Sequence, residues 1–132
     1  MKRVLVIGDA IADVYRTCSF KKMCPDASTV KAVTTVSTDM VPGGAANVAV
    51  NLAELAPDVV VDLISVVDIH LARSIKRCSS NKVDVKWCHI VDENCCIVKE
   101  RIVVDGEFIL RIDNKSMVEY HAETITEILK DY

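Results

Sequence analysis

Hydrophobic and polar residues alternate along the chain in blocks that predict strands and helices in turn. Residues 3–8 form a short, almost continuous apolar run ending at Gly8-Asp9. That pattern suits a strand buried on both faces of a parallel sheet. Residues 14–38 carry few helical cues. Within them, 29–36 is rich in β-branched residues and reads as a strand, with Lys21-Lys22 and Pro25-Asp26 as loops around it. Pro42-Gly43-Gly44 then breaks the pattern. Ala45, Val48, Ala49, Leu52 and Leu55 follow at helical spacing, which predicts a helix with one buried face, closed by Ala56-Pro57-Asp58. Residues 59–67 form a second apolar run in which only Asp62 and Ser65 are polar, and Asp68 is placed to cap a helix from about 69 to 78. Residues 82–91 alternate, with Val83, Val85 and Trp87 on one strand face, and Asp92-Glu93-Asn94 reads as a turn. Two strands, 95–104 and 107–112, flank Asp105-Gly106, the strongest hairpin signal in the chain. Residues 117–132 close as an amphipathic helix with Ala122, Ile125, Ile128 and Leu129 on its apolar side. The succession of strands and helices predicts an open α/β fold without internal repeats.

Size and composition narrow the partners. A chain of 132 residues, 51% hydrophobic and 27% charged, is expected to form one domain with a real core. A net charge of −3 gives no reason to expect nucleic acid or an anionic membrane as a partner. No apolar run approaches the length of a membrane span. The first apolar run ends in Gly8-Asp9 without a small-residue cleavage site, so it reads as a first strand, and the protein is expected to be cytoplasmic. Six cysteines (Cys18, Cys24, Cys78, Cys88, Cys95 and Cys96) include no C-x-x-C pair, so reduced thiols and no metal site are expected.

The chemistry concentrates around the two adjacent glycines. Gly43-Gly44 at a helix start presents bare backbone N–H groups and the positive end of the helix dipole. That suits a hydroxyl-rich or phosphorylated ligand. Asn47, on the first turn, offers a donor and an acceptor. Asp9 and Asp13 follow the first strand, where open α/β sheets place ligand-binding groups. By residue type alone, the better reading of Asp9 is a turn or cap residue, and of Asp13 a solvated loop charge. Lys99 and Arg101 stand two apart on one strand face, and Arg111 lies on the partner strand. The three cations could meet a phosphate, or pair across the strands with Glu100, Glu107 or Asp113.

The run Pro42-Gly43-Gly44-Ala45-Ala46-Asn47-Val48-Ala49 resembles the N-terminal signature of the PfkB/ribokinase family of sugar kinases. Within that family it is most similar to the heptose 7-phosphate kinase half of bifunctional ADP-heptose synthases. The resemblance begins at Val4-Leu5-Val6-Ile7-Gly8-Asp9 and Asp13-Val14-Tyr15. It continues at Pro25-Asp26-Ala27, Val98-Lys99-Glu100-Arg101 and Leu110-Arg111-Ile112-Asp113. It departs at Val66-Val67-Asp68, which lacks the glycines of the family's Gly-x-Asp-x-x-Gly-like turn.

The resemblance implies a ribokinase-like open sheet with flanking helices and a β lid, reduced to the N-terminal half, with lid strands at about 14–38 and 95–113. It implies that Gly43, Gly44 and Asn47 hold a sugar phosphate, that Asp13 takes its hydroxyls, and that Lys99 and Arg111 face the phosphate. No catalytic base is assigned. The family's Gly-Ala-Gly-Asp motif, which carries the base and anion hole, is absent from this sequence, as is a Walker-type G-x-x-x-x-G-K. ATP and Mg are therefore expected only if a C-terminal half is supplied, for instance by a separate polypeptide. Relatives of the heptose-kinase type pair through lid strands, and an uncovered apolar sheet edge disfavours a monomer, so a homodimer or larger assembly is expected. The alternative is a non-catalytic dimerisation or interaction protein that kept the fold.

Overall fold

The computed structural model describes residues 2–92, 96–114 and 118–132, with side chains from residue 122 onward in the last stretch. Glu93, Asn94, Cys95 and Met117, which the pattern assigns to a turn, a strand start and a helix start, lie outside the described residues. The core is a parallel sheet of β1 (Lys2–Ile7), β4 (Val59–Ile64) and β6 (Val83–Asp84), in the order β1-β4-β6. Beside it, β5 (Val66–Asp68) pairs in parallel with β7 (His89–Val91). A separate four-stranded sheet combines two hairpins in the order β3-β2-β8-β9, from β2 (Ala10–Cys24), β3 (Ala27–Gly44), β8 (Ile97–Val104) and β9 (Glu107–Asn114). The hairpins join through parallel pairing of β2 with β8. Helices α1 (Ala45–Leu55), α2 (Ile69–Cys78) and α3 (Val118–Asp131) complete the chain.

Burial is deepest along β4 and β5. Val61, Leu63, Val67, Leu71, Ile75 and Ala49 all belong to one fully buried cluster. Asp68 caps α2 as its position implies, its Oδ1 accepting from the Leu71 N–H at 2.7 Å. Ser65, polar and fully buried, accepts from the Ala10 N–H at 2.8 Å and so ties the start of β2 to the end of β4. The Asp105-Gly106 hairpin forms as expected, with positive φ at both residues (49° and 88°). The Asp105 carboxylate also accepts from the Phe20 N–H at 3.2 Å, fastening the second hairpin to the first.

Several local expectations change. β1 is an edge strand among the described residues and only half-buried, because β4 covers one side of it. Lys21 and Lys22 lie inside β2, at a register irregularity between Phe20 and Lys22, and not in a loop. β3 runs through Pro42 to Gly44 instead of stopping in a turn. Pro42 is tolerated because β3 is the outermost strand and a missing N–H costs no ladder bond there. The buried face of α1 is Ala46, Ala49 and Ala53, while Val48 (56% exposed) and Leu55 (84%) face outward. Close approach to β4 and β3 selects the small side chains. Residues 82–91 form two short strands broken between Val85 and Cys88, where the Cys88 N–H bonds the Val85 carbonyl at 3.0 Å. In α3, Ile125 and Ile128 are half-buried, but Ala122 and Leu129 are exposed.

An ionic cluster anchors α3 to the sheet. Asp62 on β4 is fully buried and pairs with the Arg3 guanidinium of β1, which also stands 3.5 Å from Asp84 of β6. The Tyr132 hydroxyl donates to the same carboxylate at 3.2 Å, and the Tyr132 ring packs edge-on against Trp87, centroids 5.1 Å apart. The Arg3 bond holds the Asp62 carboxyl below the usual carboxylate range, against the upward push of burial and with help from Tyr132.

A carboxylate with a depressed folded-state pKa contributes stability above its unfolded pKa and loses it as pH falls through the folded value. Acidification below the ordinary carboxylate range is therefore expected to lower stability in part through Asp62. Arg3→Met is expected to cost about 1–3 kcal/mol at neutral pH by stranding the buried carboxylate, and to flatten the acid limb. Urea unfolding from pH 7 to pH 3 measures both. An unchanged acid limb in Arg3→Met assigns the pH dependence to other groups.

Candidate functional site

The site grows from the point where β3 passes into α1. Gly44 caps the helix with φ 57° and ψ −134°, and no side chain caps it; the first helical N–H, at Ala45, donates to the Asp9 carbonyl at 2.9 Å. Both glycines are there because the neighbouring chain comes too close for a side chain. A Cβ on Gly44 would lie 2.3 Å from the Asp9 carbonyl oxygen, and one on Gly43 would lie 2.0 Å from Asp13 Oδ2. Gly43 is buried and Gly44 exposed. The expected bare-amide helix start therefore exists, but one of its N–H groups is already engaged by the loop after β1.

Strand alternation sorts the remaining residues. Asp13 pairs in register with Lys99, and Lys99 with Asp113; Tyr15 pairs with Arg101, and Arg101 with Arg111. Paired residues share a face, and successive residues face opposite ways. Asp13, Tyr15, Lys99, Arg101, Arg111 and Asp113 thus stand together on one face of the four-stranded sheet. Ala10, Ala12, Val14 and Cys18 point the other way, into the interior. Gly43 adjoins the first face through its contact with Asp13.

The charges on this face are partly spoken for. Arg101 Nη1 donates to Asp13 Oδ1 at 2.5 Å, and its guanidinium lies 5.1 Å from the Tyr15 ring centroid. The Asp13 bond raises the Arg101 pKa above its ordinary value. Arg111 is engaged within its own strand, Nε 2.8 Å from Asp113 Oδ1. Lys99 is half-buried and makes no ion pair among the described residues. Asn47 sits on the outer side of α1, where its Oδ1 accepts from Asn51 Nδ2 at 3.2 Å. The structure thus brings Asp13, Gly43 and Gly44 into contact range and puts Lys99 and Arg111 on the same face as Asp13. Asn47 is exposed on the helix that follows. Arg101, which sequence reading grouped with Lys99 and Arg111 as cations for a phosphate or a cross-strand acid, is the cation that holds Asp13. Its spacing from Lys99 was the signal; its partner was not visible without the register of β2 on β8.

Chemically, the face offers a carboxylate acceptor oriented by a guanidinium, a half-buried ammonium and a close-packed glycine corner. That combination can bind hydroxyls at Asp13 and an anion at Lys99 and Arg101. Among the described residues no group of three or more His, Cys, Asp or Glu side chains gathers to hold a cation. The buried thiols are chemically quiet: burial pushes Cys88 and Cys96 up to about 12, and the nearby Asp68 carboxylate adds to the effect on Cys96.

Comparison with known proteins identifies the family and the fold. The model of the pfkB family carbohydrate kinases matches residues 1–130. The bifunctional protein HldE of Helicobacter pylori (strain J99) is 32% identical over 148 residues, and that of Helicobacter acinonychis (strain Sheeba) is 31% identical over 147; each match covers 100% of this chain and 32% of the relative. The chain therefore spans about a third of the length of these curated relatives. Among solved structures, ribokinase from Cryptococcus neoformans in complex with ADP aligns with a TM-score of 0.63 at 16% identity, covering 86% of this chain and 34% of that one. Arabidopsis thaliana ribokinase complexed with ribose and ATP gives 0.58 at 16% identity, covering 86% and 35%. These two likenesses establish the fold.

The two glycines are expected to respond differently to substitution. Gly44→Ala forces a left-handed φ and a clash with fixed backbone, costing about 1–3 kcal/mol in urea unfolding. Gly43→Ala meets chiefly the movable Asp13 carboxylate, with Ile11 Cβ next at 3.3 Å, so its stability cost is smaller but the Asp13–Arg101 pair is displaced. Equal costs at the two positions contradict this account of the corner.

Proposed function

Because the chain belongs to the pfkB family of carbohydrate kinases, we propose that it is the sugar-phosphate-binding part of such a kinase, with heptose 7-phosphate as its ligand. The observation that carries this reading is the Asp13 carboxylate, pressed against the Gly43 corner and oriented by Arg101. Asp13 accepts sugar hydroxyls there. Gly43, Gly44 and Asn47 line the approach at the helix start, and Lys99 and Arg111 lie on the phosphate side. The four-stranded sheet serves as the lid, in the two segments expected from the sequence. The heptose preference rests on the similarity of the motifs to heptose 7-phosphate kinases, supported by the HldE matches.

Phosphoryl transfer needs a bound nucleotide, a base and charge stabilisation for the moving group. No Gly-Ala-Gly-Asp motif stands in these residues, so in this reading ATP, Mg and the base come from further polypeptide, on this chain or another. The protein works in the cytoplasm, in keeping with Cys18, Cys24, Cys78, Cys88 and Cys96, all of which are free. Two copies pair through the lid strands, where Val36 (68% exposed), Phe108 (58%) and Val30 (51%) leave apolar surface open. That surface also favours a second reading, in which the chain acts only as a dimerisation module.

Thermal denaturation with heptose 7-phosphate separates the two readings. Ligand at about 100 times its Kd adds about 2.7 kcal/mol of stability, so a clear rise in Tm is expected, and Asp13→Asn or Asn47→Ala should remove it. Arg111→Ala is expected to weaken the rise less than Lys99→Ala, because Arg111 is already paired with Asp113. No rise at millimolar ligand, together with a stable dimer in light scattering, favours the dimerisation module.

A further inference from the structure

On the opposite face of the four-stranded sheet from Asp13, a cavity of about 420 Å³ opens between β3 and α2. Arg73, Ser74 and Arg77 of α2 line it with His70, and Val14, Thr38, Asp39 and Met40 line it from the sheet. Val14 follows Asp13 directly in β2, so strand alternation turns the two side chains to opposite faces. The volume is within the range of small-molecule sites. We propose that this cavity is an anion site for a phosphorylated small molecule, separate from the sugar face.

The case rests on two arginines without acids. Arg73 and Arg77 are four apart on α2, hence on one helix face, and His70 and Ser74 share that side. Like charges at this spacing repel unless something neutralises them. Among the described residues, neither guanidinium has a carboxylate within salt-bridge distance. Arg73 makes no polar contact there at all, and Arg77 reaches only the Met40 carbonyl, at 3.4 Å. Asp39, the one acid among the lining residues, is paired in register with Tyr15, alternates with Met40 along β3, and accepts from Ser37 Oγ at 3.3 Å; among the described residues it makes no ion pair with either arginine. Arg77 stands in the last turn of α2, where a cation also suits the helix dipole; Arg73, mid-helix, has no such explanation. Two exposed guanidinium groups lining one cavity suit a phosphoryl group, whose oxygens accept from such planar forks. The Ser74 hydroxyl already donates to the Met40 carbonyl at 3.1 Å, which fixes α2 against β3 and sets the cavity width.

This inference does not depend on which sugar the opposite face takes. Calorimetric titration of the purified chain with inorganic phosphate and with pyrophosphate at low salt tests it. Saturable binding is expected, tighter for pyrophosphate, and weakened by about tenfold or more in the double variant Arg73→Gln, Arg77→Gln. Arg73→Gln alone is expected to weaken it severalfold. Arg73 is exposed and makes no internal bond among the described residues, so the variant is expected to unfold at the same urea concentration as the parent. Lys76→Ala, which removes an exposed cation of α2 outside the cavity lining, should leave the affinity unchanged. Binding that survives the arginine variants, binding lost equally in Lys76→Ala, or no saturation by about 10 mM of either anion overturns the proposal.

Discussion

The structure depends on how closely the chain must pass itself at the exit from β3. The Asp9 carbonyl presses on Gly44 and the Asp13 carboxylate on Gly43. At Gly44 the neighbour is fixed backbone and the backbone angle is left-handed, so glycine is required there; at Gly43 a side chain would displace the Asp13 carboxylate. From this contact follow the direction of α1, the engagement of its first N–H by Asp9, and the placing of the Asp13 carboxylate against Gly43.

Around that corner the molecule divides its tasks between two sheets. The parallel sheet holds the buried cluster and meets its polar obligations internally. Ser65, Asp68 and Asp62 are each buried and each hydrogen-bonded, and among the described residues no buried side-chain polar atom lacks a partner. The four-stranded sheet covers this body with one face and leaves the other to charged residues. Its hydrogen-bond ladder fixes which charges meet: Asp13 beside Lys99, Arg101 beside Arg111. A shift of one residue between β2 and β8 would send Asp13 and Arg101 to opposite faces.

The two faces of that sheet also explain how one element can serve two kinds of contact. Strand β2 gives Asp13 to one face and Val14 to the other. Strand β3 carries the glycine corner at its end and, a few residues earlier, the Met40 carbonyl that fastens α2. The arginines of α2 therefore sit behind the sheet, joined to the Asp13 face by backbone and shielded from it by the sheet itself.

Much of this was legible in the residues. The Asp68 cap, the 69–78 helix, the Asp105-Gly106 hairpin and the Gly43-Gly44 helix start are local features, set by a few neighbouring residues whose φ preferences and hydrogen bonds act over one turn. Family membership was legible for the same reason, since its signature is a continuous run. What the sequence could not decide depends on partners far along the chain. Val48 and Leu55 fit an apolar helical face, yet the close approach of the sheet selected the alanines between them. Lys21-Lys22 looks like a loop until β3 pairs with it. Above all, the grouping of Asp13 with Arg101, 88 residues apart, exists only through the register of β2 on β8. Local chemistry is written in adjacent residues; which distant charges become neighbours is settled only when the strands align.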